Sequence, residues 1–297
     1  MTRLGGGEEL AARAGHEPTT PPESFEEREG YQRDFLDGWK IELPRPKGAR
    51  AADVRTLRRG GRGSELKYEH FSVLMSVSRR MPMLTAVNIS GDESRRLPRI
   101  QTWSYDGRLD PADQWGDALY DGNELDRGHM VRREDPVWGA VAVARLANED
   151  TFHFTNSCPQ MAGVNQHIWL GLEDYILKNA RVESLRVTVF TGPFFGDDDL
   201  EYRGARVPLA FWKVVAIVTA GGRPSATAYR VSQKKELAEL EFRYAGYRTF
   251  QVSVKQVADA TGIDFGPLLP YDGFSAHELA TNERLEEQLD SFASIRV

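Results

Sequence analysis

The sequence predicts a mixed α+β fold, and three observations carry that prediction. Short β-branched and aromatic runs are interspersed with stretches of helical spacing, without the regular strand–helix–strand rhythm of a doubly wound sheet. Hydrophobic residues make up 40% and charged residues 28% of 297, the balance of a globular chain long enough to bury a large core. No internal repeat and no domain boundary is visible after residue 67.

The elements follow in order. Residues 1–29 hold Gly5 to Gly7, Thr19-Thr20-Pro21-Pro22 and an acidic run, and read as a mobile arm with a short helix around Glu8 to Arg13. Residues 30–67 form an extension: Tyr31, Phe35, Leu36, Trp39, Ile41 and Leu43 pack it onto the body. Arg50, Arg55, Arg58, Arg59, Arg62 and Lys67 then gather around Gly60, Gly61 and Gly63, either as a solvated loop or as a phosphate-contacting one. Residues 68–297 are the main domain. His70 to Val77 and Met83 to Ile89 read as two strands around a turn at Arg80 to Pro82. Thr151 to Thr155 alternates polar and aromatic residues and reads as a strand. Ile168, Leu172 and Ile176 give Leu170 to Leu177 helical spacing. Leu185 to Thr191 and Phe211 to Thr219 read as strands, with Thr191-Gly192-Pro193 ending the first. Val254 to Thr261 reads as a helix closed by Gly262.

Composition excludes several functions. Cys158 is the single cysteine, so neither an intrachain disulfide nor a cysteine-rich metal site can form. No apolar run of about 18 residues predicts a membrane span. No apolar segment follows the first charges, so a secretory signal peptide is not expected and a cytoplasmic location is. A net charge of −6 argues against a uniformly basic nucleic-acid-binding surface. Neither a Gly-x-x-x-x-Gly-Lys-Ser/Thr loop nor a His-Glu-x-x-His zinc motif occurs. Cys158 and His153 lie five apart, on opposite faces of a strand, which disfavours a nucleophile pair.

The chemistry concentrates in two stretches. In Asp126-Arg127-Gly128-His129-Met130-Val131-Arg132-Arg133 the histidine lies among three arginines. Nearby cations depress its pKa and keep it neutral, the state a general base needs. Downstream, Asn165 opens a helix with Glu173 eight residues on, about 80° past two full turns, so both can share a side. An amide oxygen beside a carboxylate suits Mg²⁺, although a helix cap and a solvated glutamate are the alternatives.

Asp126-Arg127-Gly128-His129, then Asn156, Pro159-Gln160, Asn165-Gln166, Trp169 and Leu172-Glu173, resembles the DNA/RNA non-specific endonucleases. The similarity runs from Tyr68 to about Leu269 and takes in Thr191-Gly192-Pro193, Pro208, Phe211-Trp212-Lys213-Val214 and the helix at Val254. The resemblance implies a ββα-metal (His-Me finger) nuclease fold, a central antiparallel sheet flanked by helices. It implies hydrolysis of DNA and/or RNA to 5′-phosphate and 3′-hydroxyl ends, with Mg²⁺, or Mn²⁺ as a substitute. His129 becomes the general base, Asn165 the direct metal ligand and Glu173 the holder of a metal-bound water. Arg127 would sit near the scissile phosphate. Asn156 joins this catalytic set, and Asp126 supports it. Arg132 and Arg133, with Arg79, Arg80, Arg95, Arg96 and Arg99 adjoining, would bind nucleic acid. Where some relatives carry a second phosphate arginine before the Trp103-to-Asp106 element this chain has Gln101, and Arg108 is the preferred substitute over Arg99. A regulatory protein partner on the arm, a homodimer and a catalytically silent binding module remain as further readings.

Overall fold

The computed structural model describes residues 17–162, 170–219, 221–234 and 249–289. The described elements open with β1 (Thr19–Thr20), β2 (Arg45–Pro46) and α1 (Gly48–Ala52). They continue through β3 (Glu65–Tyr68), β4 (Phe71–Met75), β5 (Pro82–Ser90), β6 (Tyr105–Asp106) and β7 (Leu125–His129). Next come α2 (Val141–Asp150), β8 (Ser157–Met161), α3 (Leu170–Val182) and β9 (Arg186–Phe194). After these lie β10 (Leu200–Tyr202), β11 (Ala205–Val207), β12 (Ala210–Val218), β13 (Pro224–Ser232) and β14 (Thr249–Val252). The last elements are α4 (Val254–Thr261), β15 (Ile263–Asp264), α5 (Gly273–Thr281) and β16 (Glu286–Gln288).

Eight of these strands form one antiparallel sheet in the order β16-β14-β13-β12-β9-β5-β4-β3. Its central strands β5 and β9 are buried almost throughout, because both faces are covered. Alternation along β12 sends Lys213 to the face that carries α3, where its Nζ lies 3.0 Å from Glu173 Oε1. Trp212 points the opposite way, edge-on to Phe265. Phe190 shares that second face and packs against Tyr31 and Phe265. The segment of residues 31–41 thus covers the sheet as its aromatic content requires.

Between β5 and β9 the chain builds the unit that carries the sequence motif. β7 pairs antiparallel with β8, and α3 follows, a ββα unit docked on the large sheet. Gly91, at the end of β5, lets this unit sit close: a Cβ there would overlap the backbone of Ala180 in α3. α4 has the ends its sequence predicts, with Ser253 Oγ accepting from Gln256 N and Gly262 left-handed at φ 68°.

Three expectations are corrected. Residues 17–29 are docked and do not form a free arm: β1 runs parallel to β6, Phe25 packs on Tyr68 and His153, and Arg28 Nε bonds Asp150 at 2.7 Å. A single buried aromatic and long-range ion pairs hold this polar stretch, and neither leaves a local pattern. The helix expected around Glu8 to Arg13 lies outside the described residues. The main sheet begins at Glu65, so residue 68 is not a boundary. Thr151 to Thr155 is not a strand; it is a helix end followed by a 3-10 turn over Phe154–Asn156. Its alternation is real, because Phe152 and Phe154 face Trp103 while His153 turns away to Thr20 Oγ1. The basic loop is largely neutralised. Arg55 meets Asp113 at 2.6 Å, and Arg58 and Arg59 meet Asp110 at 2.7 and 3.5 Å.

Candidate functional site

β7 sets the geometry of the site. Its register opposes Asp126 to Gln160, Gly128 to Cys158 and His129 to Ser157. Period-two alternation puts Arg127 and His129 on one face. Gly128 has to be glycine, since a Cβ would overlap the fully buried side chain of Gln160. His129 as a residue is half-buried. Its ring lies 4.7 Å from the Trp103 ring and edge-on to Phe152 at 5.0 Å. Its Nε2 is buried and has no hydrogen-bond partner among the described residues. Burial, then the charges of Arg99 and Arg133, push its pKa down to about 3. The sequence expects the cations to lower it; the aromatic enclosure contributes more.

Asn156 does not face the reaction space. It is fully buried, and its amide takes Val131 N at 2.8 Å while donating to Val131 O and Thr151 O at 3.0 Å. Its carbonyl receives Met130 N at 2.9 Å. Asn156 therefore fixes the backbone that leaves His129. Asp126 sits on the strand face opposite to His129.

Arg127 reaches a 3-10 turn over Asp117–Leu119. Its Nε donates to Asp117 Oδ1 at 2.6 Å, Asp121 lies 3.8 Å from Nη2, and the guanidinium sits over Tyr120. Sequence reading missed Asp117, because nothing local marks an acid ten residues before its partner.

Glu173 occupies the first turn of α3 and is buried. Lys213 lies against one of its oxygens, and Arg132 Nε is 4.0 Å from the other. Asp135, buried nearby, has its pKa raised to about 7 by burial, with Arg132 and Lys213 opposing and Glu173 and Glu134 adding to the rise. Asn165 lies outside the described residues. The donor chemistry fits a hard dication: a carboxylate oxygen on Glu173 and an amide oxygen eight residues earlier. Among the described residues, no group of three His, Cys, Asp or Glu side chains competes for a metal.

The arginines redistribute. Arg108, the preferred second phosphate clamp, is 3% exposed, bound to Asp106 at 2.7 Å and packed over Phe25 and Tyr68. It cannot reach a substrate. Arg132 is held by Asp174, and Arg133 by Glu134 at 2.6 Å and Leu97 O at 2.9 Å. Arg79 is buried on Asp199. Arg99 is an exposed cation at the site, over Phe152 and near enough to His129 to lower its pKa.

The sequence matches the DNA/RNA non-specific endonuclease family over residues 52–272. The chain belongs to this family. An uncharacterized protein of Sinorhizobium fredii, y4fB, is 38% identical over 296 residues, covering 90% of this chain and 44% of that one. Mitochondrial endonuclease G is 28% identical in Bos taurus and 29% in Homo sapiens, over 50% of this chain and 50% and 51% of theirs. The chain thus spans about half the length, or less, of the curated relatives it matches. A solved complex of EndoG with EndoGI superposes with a TM-score of 0.55 at 18% identity, over 69% of this chain and 86% of that one. The ββα-metal fold is therefore that of the family. No described helix is long and apolar enough to cross a membrane.

Proposed function

We propose that this family member hydrolyses phosphodiester bonds of DNA and/or RNA without reading base sequence, using a divalent metal. The observation that carries the reading is His129: neutral at neutral pH, half enclosed by Trp103 and Phe152, and on the same strand face as Arg127. A neutral imidazole can accept the proton of an attacking water, the first requirement of in-line displacement at phosphorus. Nε2 is buried, so Nδ1 is the atom for that transfer. Arg127 contributes charge to the phosphate as negative charge builds on its oxygens. Arg99 takes the second cationic place that the sequence assigned to Arg108. Asn156 keeps the histidine's backbone in place.

Asn165 would hold the metal directly and Glu173 through water, with Lys213 and Arg132 steadying the Glu173 carboxylate. A bound dication would supply charge relief at the leaving 3′-oxygen. Backbone chemistry of this kind needs no base-edge contacts, which fits the family's lack of sequence preference. The products carry 5′-phosphate and 3′-hydroxyl ends.

The test incubates plasmid and RNA with the protein in Mg²⁺, Mn²⁺ or EDTA, beside His129→Ala. Cleavage is expected with either ion, none in EDTA, and a loss of about two orders of magnitude or more in the variant. Cleavage that persists in EDTA, or a parental rate from His129→Ala, overturns the reading.

A further inference from the structure

We propose that Asp117 is the positioning residue for Arg127, fixing the guanidinium so that its remaining edge meets the scissile phosphate. This rests on the functional reading above, in which Arg127 contacts that phosphate. Asp117 Oδ1 lies 2.6 Å from both Nε and Nη2 of Arg127, so one carboxylate oxygen holds one side of the fork. Nη1 is left without a protein acceptor among the described residues, which leaves that edge available to an anion. Arginine recognises phosphate through paired N–H groups in a fixed plane, so orientation decides its value as much as charge.

The turn that carries Asp117 is itself fixed. Its backbone N–H donates to Glu17 Oε1 at 2.9 Å. Gly116 before it admits the Tyr105 hydroxyl, which a Cβ would overlap. Tyr120, at the end of the turn, lies under the Arg127 guanidinium at 5.4 Å, and its hydroxyl reaches Ser157 Oγ at 3.2 Å. Ser157 is the register partner of His129. One short turn therefore joins the arginine to the strand pair that carries the histidine. With Asp117 and Arg127 side chains 35% and 28% exposed, neither is a core residue whose removal would prevent folding.

Steady-state cleavage of one defined duplex by Asp117→Ala, Asp117→Asn, Arg127→Ala and the Asp117→Ala/Arg127→Ala double variant decides the matter, with melting temperatures as a folding check. Asp117→Ala should lower kcat by about tenfold or more, the scale of a misplaced catalytic group. Asp117→Asn, which keeps an acceptor oxygen of the same shape, should recover part of that rate. The double variant should be no worse than Arg127→Ala. Effects that multiply in the double variant, or an Asp117→Ala rate at or above the parent, overturn the positioning role alone. A parental rate from Arg127→Ala instead sinks the phosphate contact on which the role depends.

Discussion

At the scale of single residues, the chemistry of the site follows from what surrounds each polar atom. His129 has its pKa pushed down to about 3 by burial and by Arg99 and Arg133. An unfolded histidine titrates near 6.5. Between these values the unfolded chain binds a proton that the folded chain does not. The stability tied to this histidine is therefore present above about pH 6.5 and declines as pH falls toward 3. The same depression keeps the imidazole neutral in mild acid. The acid limb of log kcat against pH is expected well below 6.5, and Arg99→Ala should move it upward. A limb at 6.5 that ignores Arg99 would show that the enclosure does not act on the ring. The motif Asp126 to His129 made this histidine legible from the sequence. The hydrogen bonds of Asn156 and the ion pair of Asp117 were not legible, because a buried amide and an ion-paired acid differ from solvated ones only in what lies across space.

At the scale of elements, legibility tracked how local the determining forces are. α4 could be read from its sequence because its cap and its terminating glycine are adjacent to it. The strands β5, β9 and β12 could be read from β-branched runs, although β9 continues through Gly192-Pro193 to Phe194 beyond its expected end. The polar entry segment and the Phe152–Phe154 stretch were misread because distant partners fix them. α3 carries Glu173, which lies against Lys213 of β12. Its seat depends on Gly91, where any Cβ would overlap Ala180 backbone. Gly91→Ala is expected to destabilise the fold by about 1–3 kcal/mol, the cost of overpacking. It should also raise the metal concentration needed for half-maximal rate as Glu173 moves. Urea unfolding and a metal titration measure the two, and an unchanged pair of values would mean the helix is not wedged there.

At the scale of the whole molecule, the proposed activity asks how a chain of net charge −6 would hold a polyanion. Several of the arginines are already committed: Arg55, Arg58, Arg79, Arg108, Arg132 and Arg133 all face carboxylates. Arg99 is an exposed cation beside His129 and Phe152. Removing one cation that touches a phosphate flattens the slope of log affinity against log salt by about 0.9 on duplex DNA. Arg99→Ala should therefore flatten the slope measurably. Arg132→Ala/Arg133→Ala should leave it nearly unchanged and lower the melting temperature instead. Fluorescence anisotropy across a salt series separates the two, and a flattened slope from the double variant would return those arginines to the binding surface.

The docking of residues 17–29 has a kinetic consequence. Glu17 holds Asp117 across a hundred residues, and Thr20 holds His153 across more than that. Pairings of such span form only after a large loop has closed, which places them late on the folding route. The wall that supports Arg127 and the aromatic floor beneath His129 are thus finished by residues that precede their partners by 100 and 133 positions. The cleft beside His129 is thus completed late, when little unstructured chain remains.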